Sequence, residues 1–477
     1  MARKDKGLSA RHIIVMALAN VIGASFFLGS SVAIQASGPS VLLAYVFGGI
    51  LVYIILFAMS EMTVANPNAG SFHIFVSKTF GQGTGFVVGW VYWTGIVLAM
   101  SSEAAAVAIL VREWMPHISM ALLASIIIIV VTLLNLLGMD RLSKLVGGLV
   151  SIKLLALFLF IIIAVLLIFG LFPGKPALGI GALADESFMP GGIMSLAGSM
   201  LIVLFAYAGF EVIVFTASEA KDPDKTIPKA IGYTVLCLIG LYILTFAVIL
   251  PLVPTALITE DNSPIVTALN QQGIRWAGTA INIVLIAAIL STMVAAMFGL
   301  GRMIRTLCNG GLAPSWLRDN KKVPYKGIIF SGLAMLFSLG IGLLLPRVYL
   351  FLVSSGAFAM LFTYAAIMAT HIKFRKINGC PPSGKCQLWG YPYTSIFVLI
   401  FLVIAIISMP SISGQESGLV MGIIIVAFYS ICYLIFKFHT KIKKNRRSNL
   451  YEAELSTELS SELTAIDKHN HKTDREK

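Results

Sequence analysis

An all-α integral membrane protein of twelve spanning helices, with the first and sixth broken, is the fold class that this 477-residue sequence predicts. Composition is the first reason: 58% of residues are hydrophobic and 12% charged, and mean hydropathy is +0.90, far from the balance of a soluble domain. The second is the length of its apolar runs, twelve of which reach the roughly 20 residues that cross a bilayer. The third is a pair of interruptions, Gly23-Ala24-Ser25 in the first run and Tyr207-Ala208-Gly209, ahead of Glu211, in the sixth. A helix broken in lipid strands amides and carbonyls at several kcal/mol each unless protein, water or a ligand satisfies them. Matching breaks in two helices therefore point to a binding site.

The runs fall near 12 to 36, 40 to 65, 84 to 111, 118 to 138, 144 to 172 and 190 to 219, then 229 to 253, 275 to 301, 325 to 345, 348 to 372, 391 to 410 and 417 to 440. The first follows Arg3, Lys4, Lys6 and Arg11. It is too long for a signal peptide and lacks a small-residue cleavage site, so it reads as a retained helix. Between the second and third, Pro67-Asn68-Ala69-Gly70-Ser71-Phe72-His73 leads into a segment ending at Phe80-Gly81. That pattern predicts a turn and a short amphipathic helix on the cytoplasmic side. Breaks in the first and sixth helices divide the first ten into five plus five, and because five is odd the halves have opposite orientations, an inverted repeat. The expected organisation is a basic cytoplasmic N-terminus (1–11), a first five-helix repeat (12–172), a second (190–372), helices 11 and 12 outside the repeat (391–440), and a cytoplasmic tail (441–477). The tail's Ser, Thr, Glu and Lys from about residue 448 predict disorder.

A formal charge of +13 invites a nucleic-acid reading, but the placement of the charge answers it. With a cytoplasmic N-terminus and every run crossing, only Arg112, Lys175, Arg275 and Arg347 of the 35 basic residues fall outside. The other 31 follow the positive-inside pattern, so nucleic acid is not needed as a partner. Lys437, Lys441, Lys443, Lys444, Arg446 and Arg447 are placed to meet anionic lipid headgroups. The five cysteines make no disulfide framework: Cys237 and Cys432 lie within helices, Cys308 near a helix end, and Cys380 and Cys386 share a cytoplasmic loop. The Cys380–Cys386 stretch lacks the paired spacing and extra ligands of a zinc site, so no metal is expected. There is no phosphate-cradling Gly-x-x-x-x-Gly-Lys-Ser/Thr loop. The histidines, His12, His73, His117, His371, His439, His469 and His471, lie mainly at helix ends, in loops or in the tail, with no clustered nucleophile and base. No enzyme activity, ATP drive or cofactor is expected.

Several ordered motifs then carry a resemblance. Asn20-Val-Ile-Gly-Ala-Ser-Phe-Phe-Leu-Gly29, the loop from Pro67 to Gly81, and Phe205-Ala-Tyr-Ala-Gly-Phe-Glu211 come first. Ser218-Glu219-Ala220-Lys221-Asp222-Pro223 and Thr226-Ile-Pro-Lys-Ala-Ile231 follow, then Ser263-Pro264, Gly301-Arg302-Met303 and His371-Ile-Lys-Phe-Arg375. Across roughly residues 10 to 440 the chain resembles the amino acid, polyamine and organocation superfamily, and within it the bacterial amino acid permeases. The resemblance implies the LeuT-like fold. The chain departs from its relatives at Ala24 and Ser25, where Gly or Thr is common, and at Val294, where many bacterial permeases have a polar residue.

An α-amino acid carries a carboxylate and an ammonium, and a pair of broken helices offers free amides to one and free carbonyls to the other. The substrate carboxylate is expected at the amides around Ala24, Ser25 and Phe26, with the Ser25 hydroxyl as a further donor and Ile22 and Gly23 beside them in the substrate-binding break. The ammonium is expected at carbonyls around Phe205, Ala206, Ala208 and Gly209. The resemblance implies that Phe205, Tyr207 and Phe210 cover the substrate or gate it. Small residues here would equally serve close helix packing. Ionisable groups at depth are costly and therefore informative. By resemblance, Lys153 bonds the unwound first helix and stands in for the sodium ion of sodium-coupled cousins; its plain alternative is a snorkelling cation. Glu103 and Glu211 are candidate proton carriers or gates, or else a buried polar pair holding helices together. Glu61, Glu219 and Asp222 are expected to pair with cations near the cytoplasmic face. The expected function is secondary transport of an amino acid, neutral rather than basic, by alternating access in the plasma (inner) membrane, with both termini cytoplasmic. Proton-coupled uptake is expected, with amino acid or amine exchange as the alternative and a non-transporting nutrient sensor behind both.

Overall fold

The computed structural model describes residues 7–65, 72–260, 262–319, 321–380, 386–411 and 414–438. The Pro67–Ser71 turn, most of the basic cluster after the last helix, and the tail lie outside these residues. The chain divides into two compact units, Met1–Ile425 and Val426–Lys477. Among the described residues the architecture is all-helical, with one isolated backbone bridge, between Leu8 and Ala220.

The helices run in order as α1 (Ala10–Val21), α2 (Ala24–Phe27), α3 (Gly29–Ser37), α4 (Val41–Ala65), α5 (Phe72–Phe80), α6 (Gln82–Arg112), α7 (Met120–Asn135) and α8 (Met139–Ile168). They continue as α9 (Gly192–Ala206), α10 (Val212–Phe215), α11 (Pro223–Leu252), α12 (Pro264–Gln271), α13 (Arg275–Asn309), α14 (Tyr325–Gly342), α15 (Val348–Asn378), α16 (Tyr393–Ile407) and α17 (Glu416–Phe438). Eight helical stretches among the described residues are long and apolar enough to cross a membrane, and α1, α7, α9 and α16 are shorter apolar helices. Proline opens α11 and α12, where its missing N–H costs nothing.

At the centre of the larger unit, α6 and α15 are buried around most of their circumference. Small residues bring them together: a Cβ on Gly95 would lie 3.0 Å from Ala359 Cβ, and one on Gly356 would lie 3.4 Å from Ala99 N. In membranes such close approach replaces the hydrophobic drive that water would supply. The described part of the second unit is the end of α17, whose Phe428, Ile431, Leu434 and Ile435 are exposed, as a lipid-facing surface requires.

The short helix α5 lies between α4 and α6 and buries Phe72, His73, Phe75 and Val76. Burial pushes the His73 imidazole down from 6.5 to about 4, so it is neutral at physiological pH. Its contribution to stability is complete above the unfolded-state value and is lost as pH falls from 6.5 towards 4. Thermal unfolding in detergent should show this acid loss in the wild type and a smaller one in His73→Gln.

Candidate functional site

The first helix breaks slightly earlier than the sequence suggests: α1 ends at Val21, Ile22 and Gly23 are extended, and Ala24 and Ser25 already belong to α2. The cause is the set of groups gathered at Gly23. A Cβ there would collide with Glu103 Oε1 and come within 3.3 Å of Thr292 Oγ1, so only glycine lets these side chains reach the backbone. Ending α1 orphans its last carbonyls, and Lys153 on α8 takes them: Nζ donates to Ala19 O at 2.5 Å and to Ile22 O at 2.9 Å. On the other side of the break, the α2 amide of Ala24 donates to Glu103 Oε1 at 3.4 Å, and Thr292 Oγ1 donates to Glu103 Oε2 at 2.7 Å. A cation caps the negative pole of one half-helix and an anion caps the positive pole of the next. Both side chains are buried.

The break in the sixth helix falls where the sequence puts it. α9 ends at Ala206, residues 207–211 form turns, and α10 starts at Val212. Gly209 has φ +103°, in the region that favours glycine. Its N–H donates to Glu211 Oε2 at 2.9 Å, and its carbonyl accepts from Asn20 Nδ2 at 3.1 Å. Tyr364 of α15 donates its hydroxyl to Glu211 Oε1. Of the carbonyls expected to meet an ammonium, Ala206 O accepts from Tyr242 OH at 2.9 Å and Phe205 O from the Ala208 amide at 3.0 Å. Gly→Ala changes within helices ordinarily stabilise them, but Gly209→Ala is not expected to: the new Cβ would meet Asn20 O at 3.0 Å in a conformation costing about 1–2 kcal/mol. Uptake should fall about tenfold or more in a radiolabel assay.

The aromatic residues at the breaks are packed inside the bundle. Tyr207 is fully buried and donates to Tyr45 O at 2.8 Å. Phe26 stacks on Tyr242 with ring centroids 4.5 Å apart. Phe210 stacks on Tyr364 at 5.3 Å. Phe205 is buried as well. Within the two break segments, 22–26 and 205–211, the partly exposed positions are Ser25, Ala208 and Gly209. Asn20, Thr292, Tyr242 and Tyr364 were not singled out from sequence; each sits on a helix whose rotation decides whether it faces the break.

Away from the breaks, Glu61 has the cationic partner expected for it and also joins a cluster that the sequence reading did not anticipate. Glu61 at the end of α4 is buried and accepts from His371 Nε2 at 2.7 Å and from the Gln387 and Leu388 amides at 2.7 Å each, with Arg375 at 3.7 Å. His371 Nδ1 lies 3.1 Å from Ser395 Oγ. A hydroxyl, an imidazole and a carboxylate do therefore cluster, but all three are sealed from solvent, and the carboxylate staples the chain after Cys386 to α4. Cys380 and Cys386 lie near one another, with Cα atoms 5.1 Å apart. Glu219 pairs with Arg302 at 3.7 Å on the surface. Asp222 opens α11 with φ +48°, its carbonyl accepting from Lys225 and Thr226 amides at 3.0 Å each.

Long apolar helices, with two broken segments among them, mark a polytopic membrane protein. The chain belongs to the amino acid permease family, whose description "Amino acid permease" matches residues 12–449. It is 33% identical over 411 residues to the uncharacterized amino acid permease YvbW of Bacillus subtilis, covering 84% of this chain and 91% of the relative. It is 32% identical over 416 residues to the gamma-aminobutyric acid permease of Escherichia coli K12 (84% and 88%). With the aromatic amino acid transport protein AroP of Escherichia coli O157:H7 the figure is 31% over 436 residues (90% and 95%). Amino acid transport by a multi-pass membrane protein, and not enzyme catalysis, follows from this membership.

Proposed function

We propose that the protein is a proton-coupled importer of a neutral amino acid, working by alternating access in the plasma membrane with both termini cytoplasmic. Of its twelve spans, the first ten form two inverted five-helix repeats of the LeuT-like kind, with the last two outside them. The observation that carries the reading is the pattern at the two breaks, where the only partly exposed positions are Ser25 on one and Ala208 and Gly209 on the other. The substrate carboxylate takes the Ser25 amide and hydroxyl, beside the Ala24 amide that Glu103 holds. The ammonium takes the Ala208 carbonyl region. Lys153 holds the first break fixed in place of a metal cation, and Glu103 carries the coupling proton, with Glu211 as the gate.

A neutral side chain is favoured because the only acidic residue in either break segment is Glu211, and its two oxygens are taken by Gly209 N–H and Tyr364 OH. Both oxygens are already engaged within the protein, which makes Glu211 a weaker partner for a basic side chain than a carboxylate without such bonds. The names of the relatives agree, since gamma-aminobutyric acid, aromatic amino acids, and threonine or serine bring no second net positive charge. A thermal-shift screen of purified protein against the standard amino acids and polyamines tests the substrate class, since a ligand bound by the folded state alone raises stability with concentration. Stabilisation by a neutral group alone is the expected result, and stabilisation by polyamines alone would overturn it. Uptake into proteoliposomes with a proton gradient, set against uptake into vesicles preloaded with substrate, tests coupling. Gradient-insensitive uptake that needs internal substrate would turn the reading to exchange.

A further inference from the structure

Residues 7–9, just before α1, are held against the bundle. Leu8 N–H donates to Glu219 O at 2.8 Å, and Lys221 N–H donates to Leu8 O at 3.0 Å, forming the single parallel bridge between Leu8 and Ala220. The approach is close because position 7 is glycine: a Cβ there would lie 2.7 Å from Lys221 N, 2.9 Å from Lys221 Cα and 3.0 Å from Ala220 C. Those are backbone atoms with nowhere to move. At the other end of the same two segments, Asn20 Nδ2 donates to Gly209 O at 3.1 Å. The stretch from Leu8 to Asn20 is thus tied to the stretch from Gly209 to Lys221 at both ends, and the two are of nearly equal length. Each stretch ends at a break, Ile22–Gly23 in one and the 207–211 turns in the other.

We infer that Gly7-Leu8 is a positioning strap that makes α1 and the segment from Gly209 to Lys221 one lever, so that the two halves beyond the breaks swing together on the cytoplasmic side. Two ties at opposite ends remove the relative rotation that either tie alone would leave. The Glu219–Arg302 pair at 3.7 Å, exposed on both sides, adds little to this. A substrate held between the breaks would then be released by a single motion rather than two independent ones. The inference rests on the alternating-access reading above.

The test uses the full chain with Leu8→Cys and Ala220→Cys, since bridged strands lie about 4.8 Å apart, within reach of a disulfide. Leu8→Cys alone controls for the native cysteines, and the linked peptide is confirmed by mass spectrometry. The oxidised double variant should take up amino acid within about twofold of its reduced form, because a crosslink between parts of one lever restrains nothing. Arrest on oxidation with recovery on reduction would overturn the inference, since the strap would then have to open in each cycle. Gly7→Val removes the strap: the Leu8 and Lys221 amides should lose hydrogen-exchange protection together, and maximal uptake should fall about tenfold with KM nearly unchanged, as loss of two backbone hydrogen bonds allows. Unchanged uptake despite lost protection would also overturn it. Should Gly7→Val fail to fold, the crosslink result decides alone. Should the wild type move no amino acid, the transport reading fails, and amide exchange decides the strap: Leu8 and Lys221 opening independently of each other would sink it.

Discussion

Lys153→Met is expected to lower initial amino acid uptake about 100-fold while leaving the protein in the membrane. The Nζ group bonds two carbonyls, Ala19 O and Ile22 O, that the end of α1 leaves without helical partners. Methionine keeps the length and apolar stem of lysine but offers neither the donors nor the charge. Removing one member of a buried charged arrangement costs about 3–5 kcal/mol because the remaining groups stay buried without compensation. Here they are two carbonyls and the Glu103 carboxylate on which Lys153 acts electrostatically. Even 3 kcal/mol lost from the transport-competent conformation amounts to about 100-fold. Lys153→Arg should recover little, because a planar fork cannot place its nitrogens as a compact ammonium does. Surface labelling for expression, with uptake normalised to it, checks the result. Uptake within threefold of wild type would reduce Lys153 to a packing cation.

Much of this was legible in the chain because it depends on residue type and order alone. The apolar runs, the second break at Tyr207–Gly209, and the short helix ending at Phe80 all follow from local pattern, and each has a helix or break at the expected place. The first break was legible only to within two residues. Its position is set by Glu103 and Thr292, remote in sequence, pressing against Gly23. Lys153 was reachable as a charge at depth, but its bonding to α1 came from resemblance, since helix rotation cannot be read from composition. The same limit hid Asn20, Tyr242 and Tyr364. It also hid the Ser395–His371–Glu61 chain, whose members lie 24 and 310 residues from His371 and meet only after α4, α15 and α16 have packed.

Glu103→Gln is expected to separate coupling from binding. The amide is nearly isosteric, and its oxygen can still accept from Ala24 N–H. Thr292, whose hydroxyl also lies 2.7 Å from Ile289 O, can donate there while accepting from the new NH2, so no buried group is left unpaired. What the amide cannot do is gain and lose a proton. Each pH unit across the membrane is worth about 1.4 kcal/mol per proton, or tenfold accumulation at a one-to-one ratio. Wild-type proteoliposomes under a one-unit gradient should therefore concentrate substrate about tenfold. Glu103→Gln vesicles should equilibrate without concentrating, yet exchange internal for external substrate at a rate within about threefold of wild type. Glu211 provides the contrast. Its carboxylate accepts from Gly209 N–H and Tyr364 OH. In Glu211→Gln the amide oxygen keeps Gly209 N–H and the NH2 meets the Tyr364 hydroxyl, whose own proton then loses the acceptor it has here, so exchange and net uptake should slow alike. If Glu211→Gln instead lost accumulation alone and Glu103→Gln kept it, the coupling proton would belong to the sixth helix, and Glu103 would be left as the anion that holds the first break in shape.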